Sequence, residues 1–411
     1  MEVMTASPAL RDAARPFSSS AVTDLLPPRT RVLALGEPTH GVEAFLDLRN
    51  ELFRHLVAEH GYRSIAVESD CLAALGIDAY LGGADGDLDT VVREGFGHGF
   101  GEFPGNRELV RWMREFNSGV AESERLRLYG ADGPLEMTAA APPGPSLLRL
   151  HEFLAAHLRP ELLPPREELT RLHGPDARWT EPAAALDPAR SVGRTDEAVQ
   201  LRLLADELTT LLAASAPQLA GEAEPEKYWQ AGLYARTATG LLRYHAAMAG
   251  AGPDRFNSLM RQRDLMMADN LDAIVRREAE RGPTLVFAHN RHLQREAGRI
   301  RLGAHDLLWW SAGSLLATRL GDGYAFVATA FGHRGADDHP APDTLEGLLA
   351  TLPEPRLTVD PRLLAAATEG RAKARVPADH TYFGLDPEAL ELVDGVVFVR
   401  EIRRQSGPFG G

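Results

Sequence analysis

The chain has a single cysteine, Cys71, in 411 residues, so an internal disulfide cannot form and nothing marks the protein for an oxidising compartment. Lysine is nearly as scarce. Lys227 and Lys373 stand alone among 44 basic residues, the rest being arginine, a bias that a GC-rich genome explains before function does. No apolar run reaches the roughly 18 to 20 residues of a membrane span. The opening MEVMTASPALRDAARPF also lacks a basic stretch followed by an apolar one, so the expected location is cytoplasmic. Runs of Lys or Arg interleaved with aromatics are missing as well. With 58 acidic residues and a net charge of -14, the chain repels a phosphate backbone, which argues against a nucleic-acid partner. There is no Walker sequence, no G-x-S-x-G around a serine, and no G-x-G-x-x-G between a strand and a helix.

What is present is a globular composition, 44% hydrophobic, sufficient for one large domain or two smaller ones. Short β-rich apolar runs fall at 31–35, 64–67, 126–129, 284–288, 324–329 and 395–399, with helical patterns at about 42–60 and 106–117 between the first three. Strands alternating with helices predict a mainly parallel sheet flanked by helices. From about Pro142 to Arg281 the pattern turns helical, notably over 194–213, 224–249 and 254–281, with proline-rich breaks at 141–145, 159–165 and 252–254. The expected organisation is an N-terminal α/β part (1–141), a helical insert (142–281) forming one wall of a cleft, and a C-terminal part (282–411) completing the sheet.

Polar residues come directly after each strand. Glu37 and His40 come after the first run, Glu68 after the second, Asp132 after the third, and His289 with His292 after the fourth. In parallel sheets ligands bind beyond the carboxyl ends of the strands, so these residues are expected to converge. A carboxylate on one ring nitrogen of His40 fixes its tautomer and lets the other take a proton from water, and Glu37 or Glu68 could serve. His289 and His292, at i and i+3, share a face if a helix starts there, which also suits a metal. His40, Glu68, His289 and His292 are the ligands expected if one is bound. Spacing alone does not separate a metal-bound water from a His-activated one.

Helix phase adds a second signal. Phe45, Leu48, Leu52 and Leu56 form one apolar stripe that also contains Arg49, and Met260, Met267, Leu271 and Ile274 form another containing Arg263 and Asp264. An inward guanidinium needs a partner, for which Glu37, Glu68 or Asp132 is expected; at the stripe edge it snorkels to water instead. Arg263 with Asp264 could be a structural pair. The run from Gly95 to Gly101, carrying His98 and Phe100, reads as a flexible loop over the cleft or as a plain connection. Cys71, close to Glu68, is a poor nucleophile because the carboxylate opposes a thiolate.

The segment LGEPTHGVEAFLDLRNELFRHLVAEHGYRSIAVES resembles the N-terminal signature of the erythromycin esterase family, and YGAD (129–132), RDLMMADN (263–270), AHNRH (288–292) and DGVVFV (394–399) recur in the family's order. The likeness spans most of the chain but is only general from about Pro142 to Gly250. It implies His40 as the general base activating water, with Glu37, Glu68, Arg49, His289 and His292 as other essential cleft positions. Asp132, Arg263, Asp264 and His98 are expected to bind substrate or support the site. The implied reaction is hydrolysis of a macrocyclic lactone ester, as in antibiotic resistance, without a serine nucleophile. The implied partner is a small molecule with an apolar body, and no cofactor is expected, although the motif does not exclude a divalent metal. The alternatives are a metal-dependent or biosynthetic hydrolase or cyclase, and a non-catalytic ligand- or haem-binding protein. Where many members have Ser-Met-Gly, this chain has Ser311-Ala312-Gly313.

Overall fold

A computed structural model describes residues 7–136, 139–302, 305–335, 338–376 and 381–403. The first six residues of the N-terminal segment lie outside them. Eight strands form the main sheet: β1 (Ala14–Pro16), β2 (Val32–Glu37), β3 (Ser64–Asp70), β4 (Arg127–Asp132), β5 (Thr284–His289), β6 (Tyr324–Arg334), β7 (Arg356–Val359) and β8 (Gly395–Ile402). Their order across the sheet is β1-β7-β8-β6-β2-β5-β3-β4. The six strands from β8 to β4 run parallel, and β7 is antiparallel to both of its neighbours. The fold is therefore α/β with a mainly parallel sheet. Strands β2, β3, β4 and β5 are buried along nearly their whole length, as expected when helices cover both faces.

The apolar stripe of the first helix, α1 (Glu43–Glu59), does what its spacing predicts. Phe45, Leu48, Leu52 and Leu56 are fully buried against the sheet, each worth about 1.5–3 kcal/mol of burial. Helix α2 (Pro104–Ser118) covers the same face, burying Leu109, Val110 and Met113. Between residues 142 and 281 the described regular elements are helical, the long ones being α3 (Gly144–His157), α4 (Asp196–Ala214), α5 (Pro225–Met248) and α6 (Arg255–Arg277). Helices α3, α4 and α5 share an apolar cluster of their own, including Leu150, Leu154, Leu201, Leu208 and Leu242. Helix α6 instead presses Met267, Leu271 and Ile274 onto the sheet beside Tyr129 and Ala131, while Met260 on the same stripe is half-buried. This docking brings Arg263 and Asp264 to the edge of the site. No helix among the described residues is long and apolar enough to cross a membrane.

The chain crosses from β2 to one side of the sheet to make β3 and β4, and from β5 to the other side to make β6. Connections that part in this way open a crevice above the carboxyl ends of β2 and β5. Strands β2 and β6 pair only from Val32 to Leu35. Beyond that point Asn290 fills the gap, donating to the Thr329 carbonyl at 2.8 Å, while the Thr329 hydroxyl reaches the Gly36 carbonyl at 2.6 Å. A side chain at position 36 would place its Cβ 2.0 Å from the Asn290 side-chain oxygen, so glycine is required there.

Candidate functional site

Four adjacent strands carry acids and an imidazole at or near their carboxyl ends: Asp132 on β4, Glu68 on β3, His289 on β5 and Glu37 on β2. Glu37 pairs in register with His289. The register between β3 and β4 shifts between Val67 and Asp70, and irregularities of this kind re-aim side chains at strand ends.

His40 comes after β2 in a turn completed by Gly41, whose φ of 76° suits glycine. Its Nδ1 donates to Glu37 Oε1 at 2.6 Å, and its Nε2 faces Glu68 Oε1 at 3.9 Å. The imidazole is 27% exposed, whereas Glu37 and Glu68 are 5% and 4% exposed, so of the three it is the one that opens toward solvent. Burial lowers its pKa, but the charges of Glu68 and Glu37 outweigh this and hold it above the ordinary histidine value.

Glu68 is the hub. Its Oε2 accepts from the backbone N–H of His289 at 2.8 Å, and its Oε1 accepts from Arg263 Nη2 at 3.1 Å and lies 3.5 Å from His292 Nε2. Burial alone would push its pKa up, but His292, His40, Arg263 and the His289 N–H together hold it far below the carboxylate range. His292 in turn binds Asp264 Oδ1 through Nδ1 at 2.9 Å. Burial opposes the charge on His292, but Asp264 and Glu68 raise its pKa. The result is an alternating row of carboxylate and imidazole: Glu37, His40, Glu68, His292, Asp264.

A second row crosses it at Arg263. This guanidinium also donates twice to Asp132 Oδ2, at 3.0 Å and 2.7 Å, which keeps the Asp132 pKa low despite burial. His98 Nε2 lies 3.3 Å from the same oxygen, and its Nδ1 is 3.1 Å from Glu136. Burial disfavours its charge, but the two carboxylates win and push its pKa up to about 10. His98 has a positive φ of 58° and sits in the glycine-rich loop. That loop is packed rather than loose: Gly97 donates to Ser69 Oγ at 2.7 Å, Phe96 and Phe100 are buried, and the Phe100 ring lies 5.2 Å from His40.

His289 differs from its neighbours. Its Nδ1 accepts from the Arg291 N–H at 3.1 Å, which assigns the proton to Nε2, 3.4 Å from the Thr381 carbonyl. Burial, reinforced by the charge of His40, holds its pKa well below the ordinary value, so it is neutral. Its ring stands 5.0 Å from that of His40. The helix turn after β5 spans only Asn290–Leu293, with His289 as its N-cap. The two histidines therefore meet Glu68 differently, His289 through its backbone and His292 through its ring.

Two expectations about the arginines need correction. Arg49 is 1% exposed, which removes the snorkelling alternative, and no carboxylate among the described residues lies within ion-pair distance of it. Amides hold it instead: Asn106 Oδ1 at 2.7 Å, Asn50 Oδ1 at 2.8 and 3.0 Å, and the Gly105 carbonyl at 3.2 Å, with the Phe287 ring 4.9 Å away. Burial without a paired acid pulls its pKa down to about 10, opposed by the more distant Glu37. Glu37 itself keeps a buried Oε2 that meets no donor among the described residues. Between Glu37, Arg49 and Glu68, under Phe100, Phe103 and Phe287, lies a cavity of about 20 Å³, room for about one water. Arg263 and Asp264 do not pair with each other. Arg263 turns to Glu68 and Asp132, while Asp264 accepts from His292, the Trp309 indole at 2.8 Å and the Ala312 N–H at 2.8 Å.

Sequence reasoning did not find Asn50, Asn106, Trp309, Ser69 or Glu136. Asn50 carried a usable signal, a second polar residue beside Arg49 on a helix face that is otherwise apolar. Trp309 carried none, because it lies on a hairpin (Ala297–Leu302 with His305–Trp310) that was not expected. The Ala312 of the divergent Ser-Ala-Gly segment is fully buried and acts through its backbone N–H, and Ser311 caps the following helix α7 (Ala312–Leu320). Cys71 is buried, with burial and Asp70 raising its pKa to about 12. Among the described residues no group of three or more His, Cys, Asp or Glu is arranged to hold a metal ion.

The fold is α/β, and at the carboxyl ends of its parallel strands buried acids are paired with imidazoles. The profile of the erythromycin esterase family matches residues 57–402, and the chain belongs to that family. The matched span contains Glu68, Asp132, Arg263, His289 and His292, while Glu37, His40 and Arg49 precede it. Among solved structures, a Bacillus cereus protein is similar over 96% of each chain, with 17% identity and a TM-score of 0.71. A succinoglycan biosynthesis protein is similar over 96% of each chain at 18% identity and a TM-score of 0.69. A point variant of erythromycin esterase EreC in its open conformation matches 95% of this chain and 98% of its own, at 19% identity and a TM-score of 0.66. Family membership supports a hydrolase resembling macrolide esterases.

Proposed function

We propose that the protein hydrolyses an ester or macrocyclic lactone with a water activated by His40. The observation that carries this reading is the partly exposed His40 ring, bound through Nδ1 to the buried Glu37 and presenting Nε2 on the side of Glu68. Glu37 orients the ring and stabilises the imidazolium formed when Nε2 takes a proton from water. The water oxygen attacks the scissile carbonyl, and the developing oxyanion is met by a nearby N–H donor. His289 suits that task because it is neutral with its proton on Nε2, and His292, with its raised pKa, suits protonation of the leaving alkoxide. Arg49 serves as a positioning residue behind Glu37 and does not touch the substrate.

The reaction is proposed to need no cofactor, since the oxygens of Glu68 are already engaged by Arg263, His292 and the His289 backbone. The experiment is a mass-spectrometric screen for the gain of one water across macrolides and other lactones, using native protein and His40→Ala. Turnover by the native protein that His40→Ala abolishes, with the fold intact by circular dichroism, supports the reading. No hydrolysis across the panel, or full activity in His40→Ala, overturns it. Loss of activity on exhaustive chelation, restored by a divalent metal, overturns the cofactor-free form.

A further inference from the structure

A second cavity, of about 170 Å³, lies in the helical part and shares no lining residue with the cavity beside Glu37 and Glu68. Helix α5 lines it with Arg236, Thr239, Gly240 and Arg243, spaced i, i+3, i+4 and i+7 and so on one face. Facing them, α6 contributes Gln262, Met266, Asp269 and Asn270, spaced i, i+4, i+7 and i+8 and so also on one face, and α4 adds Thr209. Packed helices ordinarily meet through apolar side chains, yet this junction presents two guanidinium groups, hydroxyls and amides.

The charges there are unbalanced. Among the described residues neither Arg236 nor Arg243 has a carboxylate within ion-pair distance, and Asp269, the one acid in the lining, is paired with Arg319 at 2.8 Å. Arg236 Nε donates to Asn270 Oδ1 at 3.3 Å, while its Nη2 is buried and meets no acceptor among the described residues. Burial pulls the pKa of Arg236 down, and the more distant Asp269 and Asp272 only partly offset it. Thr209 donates to the Ala205 carbonyl at 2.8 Å, so in its 3.5 Å contact with Thr239 it is the acceptor, and that long bond is the one Thr239 exchanges for a ligand oxygen. Donors therefore dominate the cavity, and an acceptor-only group complements it.

We propose that this cavity is a binding site for a phosphate group, held by the guanidinium groups of Arg236 and Arg243 with the Thr239 hydroxyl and the Gln262 amide. Guanidinium forks match phosphate oxygens two at a time. With a water occupying about 30 Å³ in the liquid, the volume accommodates a tetrahedral anion and a small substituent or a few waters. The ligand is inorganic phosphate or the phosphate end of a monoester.

The test is thermal unfolding and titration calorimetry of the full chain with sodium phosphate, against sodium chloride at equal ionic strength. A saturable rise in Tm with phosphate is expected. Arg243→Gln, on an exposed position, should raise the half-saturating phosphate concentration by about tenfold or more, as loss of a charge-assisted hydrogen bond implies. Arg236→Gln should do the same, and Arg236→Lys should retain part of the response. A response no larger than with chloride, or unchanged in both glutamine variants, overturns the proposal. Equal stabilisation by acetate overturns the assignment to phosphate. Comparing inorganic phosphate with methyl phosphate identifies the source, tighter binding of the ester marking a phosphorylated organic ligand and equal or weaker binding marking the free anion. No step depends on turnover, so failure here leaves the hydrolase reading standing, and the reverse also holds.

Discussion

Replacing Glu68 by glutamine tests the central geometry without any knowledge of substrate. The side chain keeps its shape but loses its charge and turns one acceptor into a donor. One of three groups, the His289 N–H, Arg263 Nη2 or His292 Nε2, then faces an N–H instead of an oxygen. Arg263 retains Asp132, so it is not stranded, but the His289 N–H loses its Glu68 acceptor wherever the amide nitrogen takes the place of Oε2. Because Glu68 is only 4% exposed, solvent offers little compensation. Breaking a buried pair of this kind costs about 3–5 kcal/mol. For a chain of 411 residues that corresponds to about 4–6 °C in Tm. The effect also has a pH signature. The Glu68 pKa is depressed by folding, so its contribution is fully present above the unfolded value of about 4.3 and is lost as pH falls below it. Differential scanning calorimetry at pH 7 and pH 4 should show the native and Glu68→Gln proteins well apart at the first and closer at the second. Equal Tm values at pH 7 would refute the network as drawn, and a gap that widens in acid would refute the sign of the Glu68 shift.

The same contacts lead to three further outcomes. As His40 is raised above its ordinary pKa by Glu68 and Glu37, and acts as a base only when neutral, kcat/KM should fall as pH drops through a midpoint above 6.5. Glu37→Gln should shift that midpoint downward, and a pH profile with an unmoved or raised midpoint counts against the assignment. Arg49→Lys keeps the charge but cannot reproduce the fork that reaches Asn50, Asn106 and Gly105. It should cost about 1–3 kcal/mol in urea unfolding, whereas an unchanged midpoint means the amide cage is not supporting the fold. Gly36→Ala drives a Cβ into Asn290 and should destabilise by about 1–3 kcal/mol. Gly76→Ala, in a helix with nothing within 4 Å of the new methyl, should stabilise by about 0.5–1 kcal/mol. The same measurement compares them, and effects of equal sign would contradict the close approach at Gly36.

The strand-end residues were legible because a parallel sheet has a simple geometry. Six apolar runs, once set parallel, bring their carboxyl ends to one edge, and Glu37, Glu68, Asp132 and His289 lie there. Which atom touches which was not legible, because partner choice depends on side-chain direction. Arg49 needed a counter-charge by general reasoning, yet two asparagines and a carbonyl surround it. Arg263 and Asp264 are adjacent in sequence, but successive helix positions point about 100° apart, so they reach opposite rows of the site. Strands β1 and β7 are three and four residues long, and the hairpin ending at Trp310 alternates Arg299 and Arg301 with apolar residues. Elements so short or so mixed leave little trace in a pattern read over longer windows.

Strand β5 carries a consequence for how the protein is made. It lies between β2 and β3, yet roughly 200 residues separate it from β3 in the chain. Until it emerges, β2 has neither of its sheet neighbours, and β3 has only β4. At ordinary rates of synthesis that interval is about 10–40 s, during which two apolar strand edges stand open at the ribosome. The nascent chain is thus exposed to aggregation for longest where the carboxylate and imidazole rows will form. Full-length yield should accordingly depend on chaperone supply and on translation speed across the helical region.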